Sequence, residues 1–303
     1  MLRKDWSLDD YAVRARLYKG TMSAVYRPFR SVHGRPSQAR CLLSGLPVAL
    51  KIYFKQRVPD NVVHQVMREV AIHLQASSAR NALQLYAAFQ TEELLVLVME
   101  LAPRGSLEAV CQQGTPSGRL SEEQLRALVL APLLDALSYL HARGICHRDI
   151  KPENLLFTAD WGLRLADFGV SINLLHERAV TRAGTADYMA PEVERCPLKA
   201  RPSDNKDNAG IAYTTAADVW SVGVLAYELL VGFPPVVTTS AGAGVQGFDN
   251  AHLSFPASVS AAARDFISWA LALRPEERPT VHQLKSHPWL KAATAAASLQ
   301  SLL

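Results

Sequence analysis

The segment that most constrains the fold and chemistry of this chain is His147–Leu156, HRDIKPENLL. It places Asp149 and Asn154 five residues apart, and a further acid, Asp167, follows Asn154 by thirteen residues in the turn sequence DFG. Phosphoryl transfer requires one carboxylate that accepts a hydroxyl proton, and a second carboxylate with an amide to hold a divalent cation. The spacing therefore indicates a phosphoryl-transfer site.

Length and composition predict a folded intracellular protein. The 303 residues are 49% hydrophobic, enough for a large core without disulfides. The net charge of +4, from 32 basic and 28 acidic residues, is too small and dispersed for nucleic-acid binding. No signal peptide or apolar run of about 18 residues is present, so we expect no membrane association and a cytoplasmic or nuclear location. Reduced thiols are expected at Cys41, Cys111, Cys146 and Cys196.

The hydrophobic pattern of the first hundred residues is mostly strand-like. Val48–Phe54 (VALKIYF) and Glu93–Leu101 (ELLVLVMEL) have the length and aliphatic content of buried strands. Between them, residues 61–75 predict an amphipathic helix, because apolar side chains recur at i, i+4 spacing. We expect its buried stripe to be formed by Val62, Val66, Val70 and Leu74.

Past Gly105 the pattern is helical. Ser121 and Gln124 form a capping box at the start of a long helix, which Pro132 should kink and Gly144 should end. Further helices are predicted over residues 217–231, 261–272 and 281–287. A small β-rich half followed by a larger helical half is an α+β organisation.

Together with Ala190–Glu192 (APE) and the Ala-x-Lys motif, Ala49 to Lys51, within the Val48–Phe54 strand, these motifs resemble the eukaryotic protein-kinase family. The resemblance covers residues 11–290 and implies a bilobal α+β kinase fold, with one main helix in the β-rich N-lobe and a larger helical C-lobe. The implied boundaries are an N-terminal extension over 1–10, an N-lobe over 11–99, a hinge over 100–105, a C-lobe over 106–290 and a C-terminal tail over 291–303.

The resemblance implies a role for each residue of the catalytic motifs. Asp149 is the expected catalytic base, and Lys151 is expected to neutralise charge on the transferred phosphoryl group. Asn154 and Asp167 are the expected magnesium ligands. By the same resemblance, His147 and Phe168 should stack in the regulatory spine.

Lys51 matches the strand lysine that holds the α- and β-phosphates of ATP, and Glu69 matches its ion-pair partner. An exposed salt bridge would be worth only about 0–1 kcal/mol. Two charges 4 Å apart in a closed cleft, at an effective dielectric constant of about 20, interact by about 4 kcal/mol. Only the second arrangement could govern helix position, and we favour it because Lys51 alternates with apolar neighbours.

The glycine-rich loop departs from the family pattern. The pattern G-x-G-x-x-G-x-V falls on residues 18–25, where only Gly20 remains and Tyr18 and Ser23 replace glycines. Their side chains restrict the approach of the backbone to phosphate, which predicts a looser nucleotide lid. The residues expected to bind ATP are Leu17, Gly20, Val25, Ala49, Lys51, Met99 at the gatekeeper position, Glu100, Ala102 and Leu156.

Lys151 and Thr185 match the serine/threonine kinases, and the segments REVAIH and VTRAGTADYMAPE resemble the aurora and aurora-like kinases. Arg148, directly before Asp149, predicts control by a phosphate on the activation segment that would satisfy its charge. The aurora-like alignment places that phosphate on Thr181. The alternative is that Thr181 is a solvated loop residue.

The remaining matches concern substrate recognition and support. Glu153 and Glu228 match the acids that accept a substrate arginine in basophilic kinases, although both also occur for structural reasons. Glu192 and Arg278 should form a buried ion pair, and Asp218 should support the catalytic-loop backbone. The resemblance also implies ATP and Mg²⁺ as cofactors, protein substrates with Ser/Thr acceptors and a monomer, and it leaves open an activator protein on the N-lobe.

Two alternative classes remain. A nucleotide-binding scaffold would explain the degenerate glycine loop but would leave the catalytic residues without a purpose. A small-molecule phosphotransferase of kinase-like fold would not be expected to carry APE, Thr185 and Arg278, which build a peptide-docking segment. An active serine/threonine kinase explains every motif. The segments 27–45 and 196–210 have no assigned role; for 196–210 we favour a tolerated surface loop over a site for substrate or regulator.

Overall fold

The computed structural model describes residues 7–11, 15–19, 22–27, 45–114, 118–198, 204–235 and 253–291. The chain divides into one unit of residues 1–78 and 83–103 and a second of residues 79–82 and 104–303. The division after Pro103 falls within the predicted hinge segment. Gly20, Cys41, most of the 27–45 segment, residues 199–203 and the tail beyond Lys291 lie outside the described residues.

The first unit is built on a five-stranded antiparallel sheet. Its strands are β1 (Ala15–Lys19), β2 (Ser23–Arg27), β3 (Val48–Phe54), β4 (Leu85–Gln90) and β5 (Leu94–Glu100), in the order β1-β2-β3-β5-β4. The central strands β3 and β5 pair along their whole length, from Val48 opposite Glu100 to Phe54 opposite Leu94. Both were predicted within one residue, because fully buried strands are continuous aliphatic runs.

Helix α1 (Asp60–Ala76) is the main helix of this unit; of its predicted buried stripe, Val66 is buried, Val62 and Val70 are partly buried, and Leu74 is exposed. The residues that are buried are Val66, Glu69, Ile72, His73 and Ala76, whereas Leu74 is 62% exposed. At 3.6 residues per turn, each step of four residues advances about 40° beyond a full turn. A strict i, i+4 series therefore leaves the buried face after a few steps, and the actual face alternates steps of three and four.

Residues 79–82 belong to the second unit, although the predicted N-lobe spans 11–99. The Asn81 C=O accepts a hydrogen bond from the Leu165 N–H at 2.8 Å, and the Asn81 side-chain amide donates to the Leu163 C=O at 3.3 Å. Ala82 also forms an isolated parallel bridge with Leu165. These long-range backbone bonds decide the assignment, and no local pattern of residues 79–82 could have predicted it.

The second unit is mainly helical. Its helices are α2 (Leu107–Gly114), α3 (Glu122–Gln124), α4 (Ala131–His141), α5 (Pro191–Glu194), α6 (Ala216–Val231), α7 (Ala261–Ala270), α8 (Val281–Lys285) and α9 (Pro288–Lys291). The predicted capping box starts α3, with the Gln124 N–H donating to Ser121 Oγ at 3.2 Å. A π-helical stretch, Leu125–Leu130, joins α3 to α4 and ends just before Pro132, where the sequence predicted a kink. Proline lacks the N–H of a regular helix, which accounts for the irregularity.

The residues of the HRDIKPENLL and DFG motifs lie in or next to short strands and a 3-10 turn of the second unit. β6 (Gly105–Ser106), β8 (Leu155–Phe157) and β9 (Leu163–Leu165) form one sheet, and β7 (Ile145–Cys146) pairs with β10 (Ile172–Asn173). Helix α6 is buried along nearly its whole length and forms the core of the unit. Within the described ranges, no helix is both long enough and apolar enough to cross a membrane.

Candidate active site

Asp149 lies at the centre of a hydrogen-bonded cluster in the second unit. Its Oδ1 accepts hydrogen bonds from the N–H of Thr185 at 2.9 Å and from Thr185 Oγ1 at 2.7 Å. Its Oδ2 accepts from Asn154 Nδ2 at 2.9 Å and lies 3.1 Å from Lys151 Nζ. Lys151 Nζ in turn donates to Thr185 Oγ1 at 2.6 Å. Three side chains, up to 36 residues from Asp149 in the sequence, therefore meet around its carboxylate.

Asn154 and Asp167, the expected magnesium ligands, differ in exposure. Asn154 is buried in the 3-10 turn Pro152–Asn154, and its amide nitrogen donates to the backbone oxygen and Oδ2 of Asp149. Asp167 is exposed and has a left-handed backbone with φ of +62°. Because the Asn154 nitrogen is used on Asp149, its oxygen is the end that can bind a cation. An amide oxygen and a carboxylate fit Mg²⁺, which prefers oxygen ligands.

Asp218, on α6, supports the backbone that precedes Asp149. Its fully buried carboxylate accepts hydrogen bonds from the N–H groups of His147 and Arg148, each at 2.8 Å, and contacts His141 Nε2 at 2.8 Å. Burial by itself would raise the pKa of Asp218, but the hydrogen bond and charge of His141 lower it below its usual value. The anion thus holds two consecutive N–H groups, with Arg148 in the left-handed region at φ of +72°.

Arg148 donates hydrogen bonds to two neutral groups. Its Nε donates to the C=O of Val170 and its Nη1 to the hydroxyl of Tyr213 at 2.9 Å. That hydroxyl donates to the C=O of Thr181 at 2.9 Å. Neither partner of the guanidinium is an anion. The side chain is hydrogen-bonded but its charge is not neutralised by these groups, so it can still accept a phosphate.

Gly184 permits the close approach of the activation segment to Arg148. Its φ is +105°, and a Cβ built there would lie 2.2 Å from the backbone oxygen of Arg148. Any side chain would both strain the backbone and collide with a peptide group that cannot rotate away. The contact places the next residue, Thr185, against Asp149.

His147 and Phe168, which the resemblance pairs, are in contact within the second unit. The two rings meet edge to face with centroids 5.2 Å apart, and both residues are fully buried. His147 Nε2 also lies 3.1 Å from the C=O of Ala166, which precedes Asp167. The DFG turn is therefore packed directly against the strand end that leads to Asp149.

The first unit contains the Lys51–Glu69 pair. Lys51 Nζ lies 2.6 Å from Glu69 Oε1, and the side chains are 13% and 3% exposed. The second oxygen of Glu69 accepts a short hydrogen bond from the hydroxyl of Tyr53. Burial and the adjacent Glu69 carboxylate raise the pKa of Tyr53, while Lys51 opposes the shift. The pair is buried rather than exposed, and both carboxylate oxygens have donors.

Replacing Tyr53 by phenylalanine is expected to lower the free energy of unfolding by about 1–3 kcal/mol, because one oxygen of a buried carboxylate loses its donor. Urea denaturation monitored by tryptophan fluorescence measures the change. The matched control is Tyr26→Phe on the neighbouring strand β2, which should change the free energy by about 0.5 kcal/mol or less. Equal losses in the two variants would contradict a specific role for the Tyr53 hydroxyl.

Most of the residues expected to contact the nucleotide come from strands of both units of the chain. In the first unit, Ala49 pairs with Met99 and Val25 with Lys51 across the sheet, and Ala49 and Met99 are buried. The Glu100 N–H donates to the C=O of Gln84 at 2.9 Å, so adenine would have to bind other backbone groups of residues 100–102. Leu156 lies on β8 of the second unit. Leu17 lies on β1, but its side chain, like Gly20, lies outside the described residues.

Glu192 and Arg278 form a buried ion pair. Arg278 Nη1 and Nη2 donate to the two oxygens of Glu192 at 2.6 and 2.8 Å, and the Arg278 side chain is fully buried. The same guanidinium also donates to the backbone oxygens of Ala216, Ala272 and Leu273. One side chain thus joins the end of the activation segment to α6 and to the segment after α7.

Glu228, one of the two acids expected to bind a substrate arginine, accepts a short hydrogen bond from the hydroxyl of Tyr188. Burial raises the pKa of Glu228, and the charges of Glu153, Asp187 and Glu108 raise it further, while Tyr188 opposes the shift. Glu153 is exposed. Four carboxyl groups therefore influence one another in this part of the second unit.

Sequence reasoning missed two tyrosines. Tyr53 could have been found, because alternation on β3 places it on the same face as Lys51, two residues away. Tyr213 carried no such signal. It follows the long polar segment after Glu192, and its partners Arg148 and Thr181 are 65 and 32 residues away in sequence.

Comparisons of the whole chain identify the class of enzyme to which this fold and site correspond. A family model for the protein kinase domain matches residues 33–290, so the chain belongs to the protein kinase family and has its fold. The match begins after β1 and β2, where the sequence departs from the glycine-rich pattern.

Within that family the chain is a serine/threonine kinase that resembles the aurora kinases, as the sequence predicted. It is 34% identical over 291 residues to aurora kinase B of Mus musculus, covering 96% of this chain and 76% of that protein. It is also 34% identical over 292 residues to aurora kinase C of Mus musculus, covering 95% and 94%. Aurora kinase B of Danio rerio is 36% identical over 289 residues, covering 94% and 80%.

Proposed function

We propose that this kinase transfers the γ-phosphoryl group of Mg-ATP to serine and threonine hydroxyls of protein substrates, with Asp149 accepting the hydroxyl proton. The observation that carries the proposal is the cluster of Lys151, Asn154 and Thr185 around the Asp149 carboxylate. Thr185 and Lys151 orient this carboxylate, and Lys151 also supplies positive charge beside the acceptor. Such positioning and charge are what phosphoryl transfer requires from a protein.

ATP and Mg²⁺ would be held by the residues that match the motifs of the family. Lys51, oriented by Glu69, would bind the phosphates of ATP, and Asn154 and Asp167 would bind Mg²⁺ through oxygen atoms. Bound Mg²⁺ neutralises the charge of the phosphates. Because the glycine-rich loop is partly degenerate, we expect these contacts to contribute a larger share of the binding free energy of ATP than they would beside a complete glycine-rich loop. The boundaries 11–99, 100–105 and 106–290 remain the proposed lobes and hinge.

A preference for basic substrates follows from the acidic groups near Tyr188. Glu153 and Glu228 would accept an arginine two residues before the target hydroxyl, because their mutual repulsion is relieved by a cation. A cytoplasmic or nuclear, monomeric enzyme is part of the same proposal. An activator that docks on the N-lobe would be compatible with it.

The test is transfer of label from [γ-³²P]ATP, with Mg²⁺, to serine peptides that carry either arginine or glutamine at position minus two. Transfer to the arginine peptide, with less to the glutamine peptide, is the expected result. ATP labelled at the α-phosphate is the matched control and should label neither peptide. Absence of transfer from enzyme that binds ATP would favour the scaffold alternative, and equal labelling of both peptides would remove the basophilic preference.

Phosphorylation of Thr181 is proposed to activate the enzyme through Arg148. A phosphate there could form one to three charge-assisted hydrogen bonds, so we expect Thr181→Ala to lower kcat by about 10- to 100-fold. The comparison requires wild-type enzyme shown by mass spectrometry to carry phosphate on Thr181. Partial rescue by Thr181→Glu would support a charge effect. Full specific activity of Thr181→Ala would contradict the proposal.

A further inference from the structure

The polar segment after Glu192, to which the sequence assigned no role, is bonded to the activation segment. Its described part, residues 204–213, forms hydrogen bonds with residues 177–181 at both of its ends. We refer to residues 204–213 as the brace. Its contacts are with the residues that surround the proposed phosphorylation site.

Lys206 makes the outer contacts of the brace. Its Nζ forms a short ion pair with Glu177 and donates to the C=O of Arg178 at 3.1 Å. In the opposite direction, Arg178 Nη1 donates to the C=O of Lys206 at 3.0 Å. The ion pair is about one-fifth exposed and contributes little by itself. The bonds to the two carbonyl groups, however, fix the alignment of residues 177 and 178 with the brace.

Tyr213 makes the inner contacts. Its N–H donates to the C=O of Ala179 at 3.0 Å, and the two residues form an antiparallel bridge. Its hydroxyl donates to the C=O of Thr181 at 2.9 Å and accepts from Arg148 Nη1 at 2.9 Å. Tyr213 is only 5% exposed, and burial raises its pKa to about 12 although Arg148 opposes the shift. The hydroxyl therefore keeps the proton that it donates to Thr181.

We propose that the brace holds the segment around Thr181 against Arg148 before any phosphate is added, with Tyr213 as the positioning residue. The inference rests on the proposed control through Thr181. A phosphate on Thr181 and the hydroxyl of Tyr213 would then act on the same guanidinium. The brace partly orders the segment around Thr181, and a phosphate on Thr181 would complete that ordering. The enzyme therefore retains some activity in the unphosphorylated state.

The test compares Tyr213→Phe in two backgrounds, phosphorylated wild type and Thr181→Ala. In Thr181→Ala, where no phosphate can replace the hydroxyl, we expect Tyr213→Phe to lower kcat by about ten-fold, with KM for ATP unchanged. In the phosphorylated enzyme the phosphate binds Arg148 without the help of the Tyr213 hydroxyl. Tyr213→Phe should therefore lower kcat by less than about two-fold there. Hydrogen exchange of residues 177–182, measured without ATP, should become faster in Tyr213→Phe.

Tyr139→Phe is the matched control, because Tyr139 lies on α4 of the same unit, where the Arg143 guanidinium stacks on its ring at 3.5 Å. It should leave kcat and hydrogen exchange at residues 177–182 unchanged. Equal loss in both backgrounds, or no loss in Thr181→Ala, would overturn the proposal. A wild type that transfers no phosphate would overturn the proposed activity instead, and hydrogen exchange would still test the brace.

Discussion

Asp149→Asn is expected to lower kcat by about 10²- to 10⁴-fold, the range that a general base contributes. The structural reason is that both carboxylate oxygens act as acceptors. Thr185 donates to one, and Asn154 and Lys151 approach the other. Asparagine cannot accept a proton, and in either orientation its NH₂ group faces donors. Steady-state transfer from labelled ATP to a serine peptide measures the loss.

The control for this variant is Asp160→Asn, which changes an exposed carboxylate in the turn that follows β8. It should leave kcat within about two-fold of wild type, since surface substitutions have small effects. Thermal unfolding of Asp149→Asn separates a chemical loss from a folding defect. A folded Asp149→Asn enzyme with kcat within ten-fold of wild type would contradict the role of Asp149 as the base.

Arg278→Met is expected to destabilise the protein by about 3–5 kcal/mol, because it leaves Glu192 charged and largely buried without its partner. The side chains are 0% and 15% exposed, and three backbone oxygens lose the same donor. Methionine retains apolar contact with the Trp220 ring, over which the guanidinium lies at 4.9 Å. The measured loss therefore reports the ion pair together with the three backbone hydrogen bonds. Urea denaturation gives the free energy of unfolding.

Arg274→Met provides the matched control. Arg274 pairs with Glu277 at 3.4 Å, but these side chains are 73% and 56% exposed. Removing an exposed ion pair should cost less than about 1 kcal/mol. If Arg278→Met and Arg274→Met lowered the free energy of unfolding equally, burial would not explain the contribution of the Glu192–Arg278 pair to stability.

Much of the fold was accessible from local sequence signals. Strands β3 and β5 are continuous aliphatic runs, and the Ser121 capping box starts its helix where predicted. The motif residues of the second unit were also identified in advance, although their roles remain proposals. Such local signals predict strands and helix starts well, because the backbone hydrogen bonds of a helix cap and the spacing of apolar residues are both set within one element.

One prediction that failed concerned which face of a helix is buried. Leu74 was assigned to the buried face of α1, but the packing surface follows the helical period of 3.6 residues and leaves it 62% exposed. Residues 79–82 lie within the proposed N-lobe, and their backbone pairs with β9 of the second unit, a long-range contact that no local signal indicates. The partners of Arg148 leave its charge without a neutralising anion, but no sequence signal indicated that one of them is the Tyr213 hydroxyl.

The sequence by itself indicated the enzyme class, because HRDIKPENLL, DFG and APE together resemble the motifs of the protein kinases. Only the tertiary structure decided how the side chains of these motifs are held. Tyr213 contacts Arg148 and Thr181, which are 65 and 32 positions away in the sequence. Such contacts depend on how whole elements pack, and no local pattern encodes them.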